Sequence, residues 1–224
     1  MSLTLVFRVL SLAIFLAVPS FVMGKTVHLG MRQFCCDKTT EAGADEVYIL
    51  AYGRRSDGQA TFEQRVPGPS QHWDMNDGDQ PTDNPDGDAH CRTNKTLFTG
   101  EIGPGQSWDL TVLVMEEDGG NSAQWQRAAS TAAIRSGNPF AVAGGAILAV
   151  YTELFGGIVN DTDDYIGSFA VHITNDNNNI RVDWKPLDRV VHMIPDPNDG
   201  GNPNRREFRM NGDGTNYVGW YYVN

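Results

Sequence analysis

The chain has 224 residues, with 28 acidic against 17 basic side chains, a formal charge of −11 and 40% hydrophobic residues. That balance argues against a general nucleic-acid binder, because phosphates need a basic surface. It equally opposes direct electrostatic adhesion to an anionic membrane unless bound cations reverse the local sign.

Residues 1–24 carry one charge, Arg8, followed by the apolar run Val9 to Val18 and then Pro19, Ser20 and Gly24. This pattern predicts a secretory signal peptide cleaved after Gly24. The alternative is a membrane anchor, for which the apolar core is short against a span of about 20 residues. The expected compartment is extracellular or periplasmic. Residues 25–224 then form a single domain with an insertion at 121–157. In an oxidising compartment the three cysteines permit one disulfide. Cys35 and Cys36 are neighbours on a strand and point to opposite faces, so one of the two can meet Cys91 while the third cysteine stays a buried thiol.

In chain order, Thr26 to Cys36 alternates as a strand that ends at Asp37, and a polar loop leads to Asp45 and the apolar run Val47 to Gly53. The Asp57-Gly58 pair predicts a turn, with Gln59 to Val66 as the returning strand. Pro67 to His90 holds Asp74, Asp77, Asp79, Asp83, Asp86 and Asp88 among prolines and glycines and reads as a long, solvated acidic loop, with a second cation site as the alternative. Its Asp-Gly pairs lack the spacing and the twelfth-position glutamate of an EF-hand. Thr93 to Ile102 and Trp108 to Met115 are strands around the turn Gly103 to Gln106. Asn121 to Ser136 is alanine-rich and helical, Gly137-Asn138-Pro139 breaks it, and Phe140 to Phe155 is a second, very apolar helix. The strand pattern resumes at Tyr165, turns at Asn175 to Asn179 and continues at Arg181 to Trp184. Arg189 to Pro203 reads as loop, and Glu207 to Met210 with Tyr217 to Val223 as two closing strands. The expectation is an all-β sandwich of about eight antiparallel strands with an inserted α-helical hairpin.

Two strands carry acids at facing ends. Trp108 to Asp118 runs into a carboxylate cluster, and Asp161 to Ile173 runs out of one. Such ends can assemble the six to eight oxygen ligands that calcium prefers. These residues resemble the calcium-dependent lipid-binding module known as the second conserved (C-two) domain of protein kinase C. That family has a strand ending in an acidic loop followed by Gly-x-Ser-Asp-Pro-Tyr-Val; this chain has Asp37, then Gly43 to Ile49. Its Val-x-Val-x-Asp-x-Asp is matched by Val112, Val114, Glu116 and Asp118, and its Asp-x-Ile-Gly by Asp164 to Gly167. The resemblance implies Asp37, Asp45, Glu116, Asp118 and Asp164 as cation ligands, with Asp163 and Asp161 in reserve. It also implies docking on an anionic membrane; an acidic glycan satisfies the same chemistry. Departures are Glu116 in place of the family's aspartate, the lack of a proline after Asp45, and the long insertion between Asp118 and Asp161. The competing reading is that these are merely solvated loops of an acidic protein.

The five histidines form no metal-spacing motif, and His172 falls on the solvent side of Val171 and Ile173. No G-x-S-x-G is present, although abundant carboxylates leave room for an extracellular polymer-acting hydrolase. A pore-forming, membrane-perturbing protein using the hairpin is a third reading. Asn94-Lys95-Thr96 and Asn160-Asp161-Thr162 are glycosylation acceptors.

Overall fold

A computed structural model describes residues 24–39, 44–68, 71–76, 90–117, 165–187, 189–195 and 200–224. The predicted signal peptide and the predicted helical hairpin at 121–157 lie outside the described residues. Among the described residues no helix is long and apolar enough to cross a membrane.

The described chain is all-β. Its strands are β1 (Lys25–Lys38), β2 (Asp45–Arg55), β3 (Thr61–Val66), β4 (Trp73–Met75), β5 (Cys91–Ile102), β6 (Ser107–Glu116), β7 (Tyr165–Asp176), β8 (Asn179–Pro186), β9 (Val191–Pro195), β10 (Arg205–Met210) and β11 (Asn216–Val223). They form two antiparallel sheets. One has the order β5-β1-β11-β10-β9; the other has β3-β2-β6-β7-β8, with β4 added beside β2. Eleven strands replace the expected eight or so. β4 and β9 fall in stretches read as loop. β4 is only three residues long, too short for its buried, half-buried, buried pattern over Trp73, Asp74 and Met75 to register as a strand, and four of the five residues of β9 are exposed.

Local chemistry explains the turns. Asp176 pairs with Asn179, and the two residues between them, Asn177 and Asn178, both have positive φ (49° and 70°). That is the two-residue hairpin geometry asparagine tolerates best after glycine. At the β2–β3 turn Gly58 takes φ 70° while the Asp57 carboxylate accepts from Gln59 N at 2.9 Å.

The sheets pack face to face through alternate residues. Leu29, Met31, Phe34, Phe208 and Tyr221 come from one sheet, and Val47, Ile49, Val112, Val114, Phe169 and Val171 from the other. Phe169 stacks on Phe208 across the gap, with ring centroids 4.1 Å apart. β2 and β6 are buried on both faces, since Tyr48, Leu50, Leu113 and Met115 on the outer side are also covered. This is why these strands read as nearly continuous apolar runs. Cys35 and Cys91 face each other on β1 and β5 and form the disulfide, while Cys36 is the buried thiol. The bond closes a loop with a sequence separation of 56, worth about 4 kcal/mol in the chain-entropy picture. That loop leaves one sheet, supplies β2, β3 and β4 to the other, and returns.

His172 lies partly exposed between two ladder partners, Asp109 on β6 and Asp183 on β8. Its Nδ1 sits 2.6 Å from Asp109 Oδ1. That hydrogen bond raises the imidazole pKa above 6.5; burial opposes the rise, and the charges of Asp109 and then Asp183 add to it. A raised folded-state pKa stabilises the fold fully below the unfolded value and loses that contribution as pH climbs through the folded one. His172→Gln should therefore lower the melting temperature more at pH 5 than at pH 9. An equal loss at both pH values, read by thermal denaturation, would contradict this.

Candidate metal centre

Several connections meet at one end of the sandwich. β1 finishes there with Lys38 opposite Asn216, β2 begins at Asp45, and Val47 lies opposite Glu116. Met115 lies opposite Tyr165, so the chain leaves β6 and re-enters at β7 on adjoining rungs. Side-chain alternation divides the acids here into two sets.

The inner set is Asp45 and Glu116. Both share the face of Val47, pointing between the sheets, and each is 1% exposed. Tyr217, opposite Cys36 on the other sheet, donates its hydroxyl to Asp45 Oδ2 at 2.6 Å. Phe34 stacks on its ring at 5.1 Å. Burial, the neighbouring Cys36 and the Asp45 hydrogen bond all push the Tyr217 phenol far above its usual range, so it stays a donor. Of the other predicted ligands, Asp37 sits exposed at an irregularity in the β1–β11 pairing between Cys36 and Lys38. Asp118, Asp163 and Asp164, with the reserve Asp161, lie outside the described residues. The structure thus buries Asp45 and Glu116 on the same inner face and leaves Asp37 on the surface. An all-oxygen pair of buried carboxylates fits a hard cation, which would offset the expense of keeping like charges out of water.

The outer set was not found from sequence. Glu46 on β2 lies directly opposite Asp74 on β4, and Glu117 N donates to Glu46 O at 2.7 Å. His72 places Nε2 3.4 Å from Asp74 Oδ1 and Nδ1 3.5 Å from Glu117 Oε2. Arg65, with its side chain buried, pairs with Glu117, donates to Gln71 O at 3.0 and 2.8 Å, and lies 3.7 Å over the Tyr48 ring. Glu46 and Glu117 each adjoin a predicted ligand, so strand parity alone could have separated them. His72 and Asp74 sat in a stretch read as loop. Tyr217 gave no signal, because an aromatic residue in an apolar strand reads as core.

Hollows elsewhere among the described residues include two of note. One, of about 380 Å³, is lined in part by His172, Thr174, Arg181 and Asp183. Beside it Thr174 Oγ1 is 2.9 Å from His172 Nε2, extending the Asp109–His172 pair into a hydroxyl–imidazole–carboxylate relay. Backbone N–H groups nearby are already committed: Gly105 N donates to Asn175 O and Asn175 N to Gln106 O. The other hollow, of about 480 Å³, is lined in part by Arg32, Arg205, Trp220, Tyr222, Asn94 and the chain's last residue, Asn224. Asn94, the first glycosylation acceptor, is exposed with φ 53°.

Comparison of the chain with protein-family models, curated proteins and solved structures gave no match.

Tyr217→Phe removes the donor while keeping the ring. Because it strips a hydrogen bond from a buried carboxylate, it should destabilise the fold by about 1–3 kcal/mol. Urea denaturation showing no loss would mean that Asp45 does not depend on Tyr217.

Proposed function

We propose that this chain is a secreted calcium-binding β-sandwich that docks on an anionic surface, a phospholipid or an acidic glycan, through bound calcium. The observation that carries the reading is the burial of two carboxylates, Asp45 and Glu116, on the inner face at the end of the sandwich where the β1–β2 and β6–β7 connections begin and end. The resemblance to the C-two family supports it through the same residues. The Cys35–Cys91 disulfide accords with an oxidising compartment. Residues 121–157 are read as a helical hairpin covering the sandwich, because their flanking strands adjoin at Met115 and Tyr165.

In this reading Asp45 and Glu116 hold the cation from the inner layer, and Asp37, Asp118, Asp163 and Asp164 contribute from the loops. Calcium supplies positive charge and open coordination positions for phosphate or carboxylate oxygens.

Calcium in hundredfold excess over its Kd should stabilise the fold by about 2.7 kcal/mol. The melting temperature should rise with millimolar calcium and fall with chelator. Asp45→Asn should weaken that response. Identical melting curves in calcium and chelator would sink the reading.

The Thr174–His172–Asp109 relay favours a second reading, an extracellular hydrolase, because a hydroxyl within reach of an oriented imidazole is how a nucleophile is activated. The committed backbone donors beside it supply no oxyanion site. The calcium-docking reading therefore expects no labelling by a serine-reactive phosphonate. Labelling that disappears in Thr174→Ala would favour the hydrolase instead.

A further inference from the structure

We propose that Glu46, His72 and Asp74 form a second metal site, for zinc or a similar divalent transition ion, on the outer face of the β2–β4 pair. The site is distinct from the inner carboxylates because adjacent strand residues point to opposite faces: Asp45 and Glu116 face the other sheet, whereas Glu46 and Glu117 face away from it.

The register supplies the first reason. β4 joins β2 through three rungs, and the middle one sets Glu46 directly opposite Asp74. Like charges directly opposed on antiparallel strands repel. A cation between them turns the weakest rung of a three-residue strand into a cross-link. His72 lies two residues before Asp74, on the same face, and completes the cluster. One donor atom from each of the three residues lies within 4.8 Å of the other two.

The distances supply the second. His72 Nε2 and Asp74 Oδ1 are 3.4 Å apart, beyond the usual 2.7–3.2 Å of an N–H···O hydrogen bond. It matches the ligand-to-ligand edge of roughly 3.3–3.4 Å that follows from tetrahedral bonds of about 2.0–2.1 Å. The Nδ1 edge of the same ring faces the Glu117 carboxylate at 3.5 Å. A metal-bound histidine commonly gives its other ring N–H to a carboxylate, which fixes the tautomer and the ring plane. Glu117 is itself anchored by the buried Arg65 side chain, which Gln71 O and the Tyr48 ring hold in place. The histidine is thus presented with a supporting carboxylate behind it and two ligand carboxylates in front.

The donor set supplies the identity. An imidazole nitrogen with two carboxylates suits zinc and its neighbours, whereas calcium and magnesium take oxygen ligands. Three protein ligands leave a fourth position at the surface, open to water or to an oxygen of a bound partner.

The test is calorimetric titration of zinc into the tag-free, chelator-stripped protein, with and without saturating calcium. One equivalent of zinc should bind in both conditions. His72→Ala and Asp74→Asn should each abolish that event, and Glu117→Gln should weaken it by about 10–100-fold. Substitution with cobalt should give the visible absorption of a four-coordinate ion, lost in His72→Ala. Far-UV circular dichroism and melting curves identify any variant that has lost its fold. Three results would overturn the site: no stoichiometric zinc binding by the parent, parent-like binding by a folded His72→Ala, or stoichiometric displacement of zinc by calcium. Because the zinc arms do not require calcium to bind, failure of the calcium reading and failure of this one are separately visible.

Discussion

A single buried hydrogen bond, from Tyr217 on one sheet to Asp45 on the other, sets the arrangement at the acidic end of this sandwich. Most inter-sheet contacts are apolar and non-directional, and slippage along the strands would cost them little. This one is directional, and it joins a phenol that burial keeps protonated to a carboxylate that burial would otherwise penalise. Fixing Asp45 fixes the first rung of β2. That rung decides which acids face inward, and hence the whole division of charge at this end of the molecule. Gly167 serves the same closeness, because a Cβ there would lie 2.7 Å from Val191 Cγ2 and 3.2 Å from Met210 across the gap.

The division has electrostatic consequences. In an acidic chain, strand ends rich in carboxylates repel one another, and a pleated strand distributes them alternately to two faces. On the inner face the charges meet hydrogen-bonding and packed partners in a dry layer. On the outer face Glu117 has Arg65, and Glu46 and Asp74 have His72 close by. The two faces therefore present different donors, oxygen alone on one side and nitrogen with oxygen on the other. Strand parity, rather than separate domains, thus separates oxygen-only ligands from mixed nitrogen–oxygen ones, the distinction on which hard and borderline ions differ.

Much of the fold was legible in the sequence. β1, β2, β5, β6, β7 and β11 announced themselves by period-two alternation or by apolar runs. Asn175 to Asn179 announced its hairpin, and the alternative pairings open to Cys91 included the observed one. β4 and β9 were not legible. β4 is too short for a period to show, and β9 is held by backbone pairing with β10, which leaves no periodic mark when four of its five residues are exposed. Of the acids named from sequence, Asp45 and Glu116 are buried on one face of the second sheet, whereas Asp37 is exposed. His72 and Asp74 escaped because their significance comes from Glu46 across the ladder, and that register cannot be read without knowing that β4 exists.

The adjoining rungs at Met115 and Tyr165 carry one more implication. Two antiparallel strands that stand side by side need only a tight turn to join them. The sandwich therefore fixes where residues 118–164 depart and return, and imposes little on what lies between, since the entropy of closing a loop grows only slowly with its length. Such a junction works as a socket. The framework can keep its ladders and its disulfide while the middle of this one segment is lengthened or shortened, so new specificity can be tried without refolding the rest.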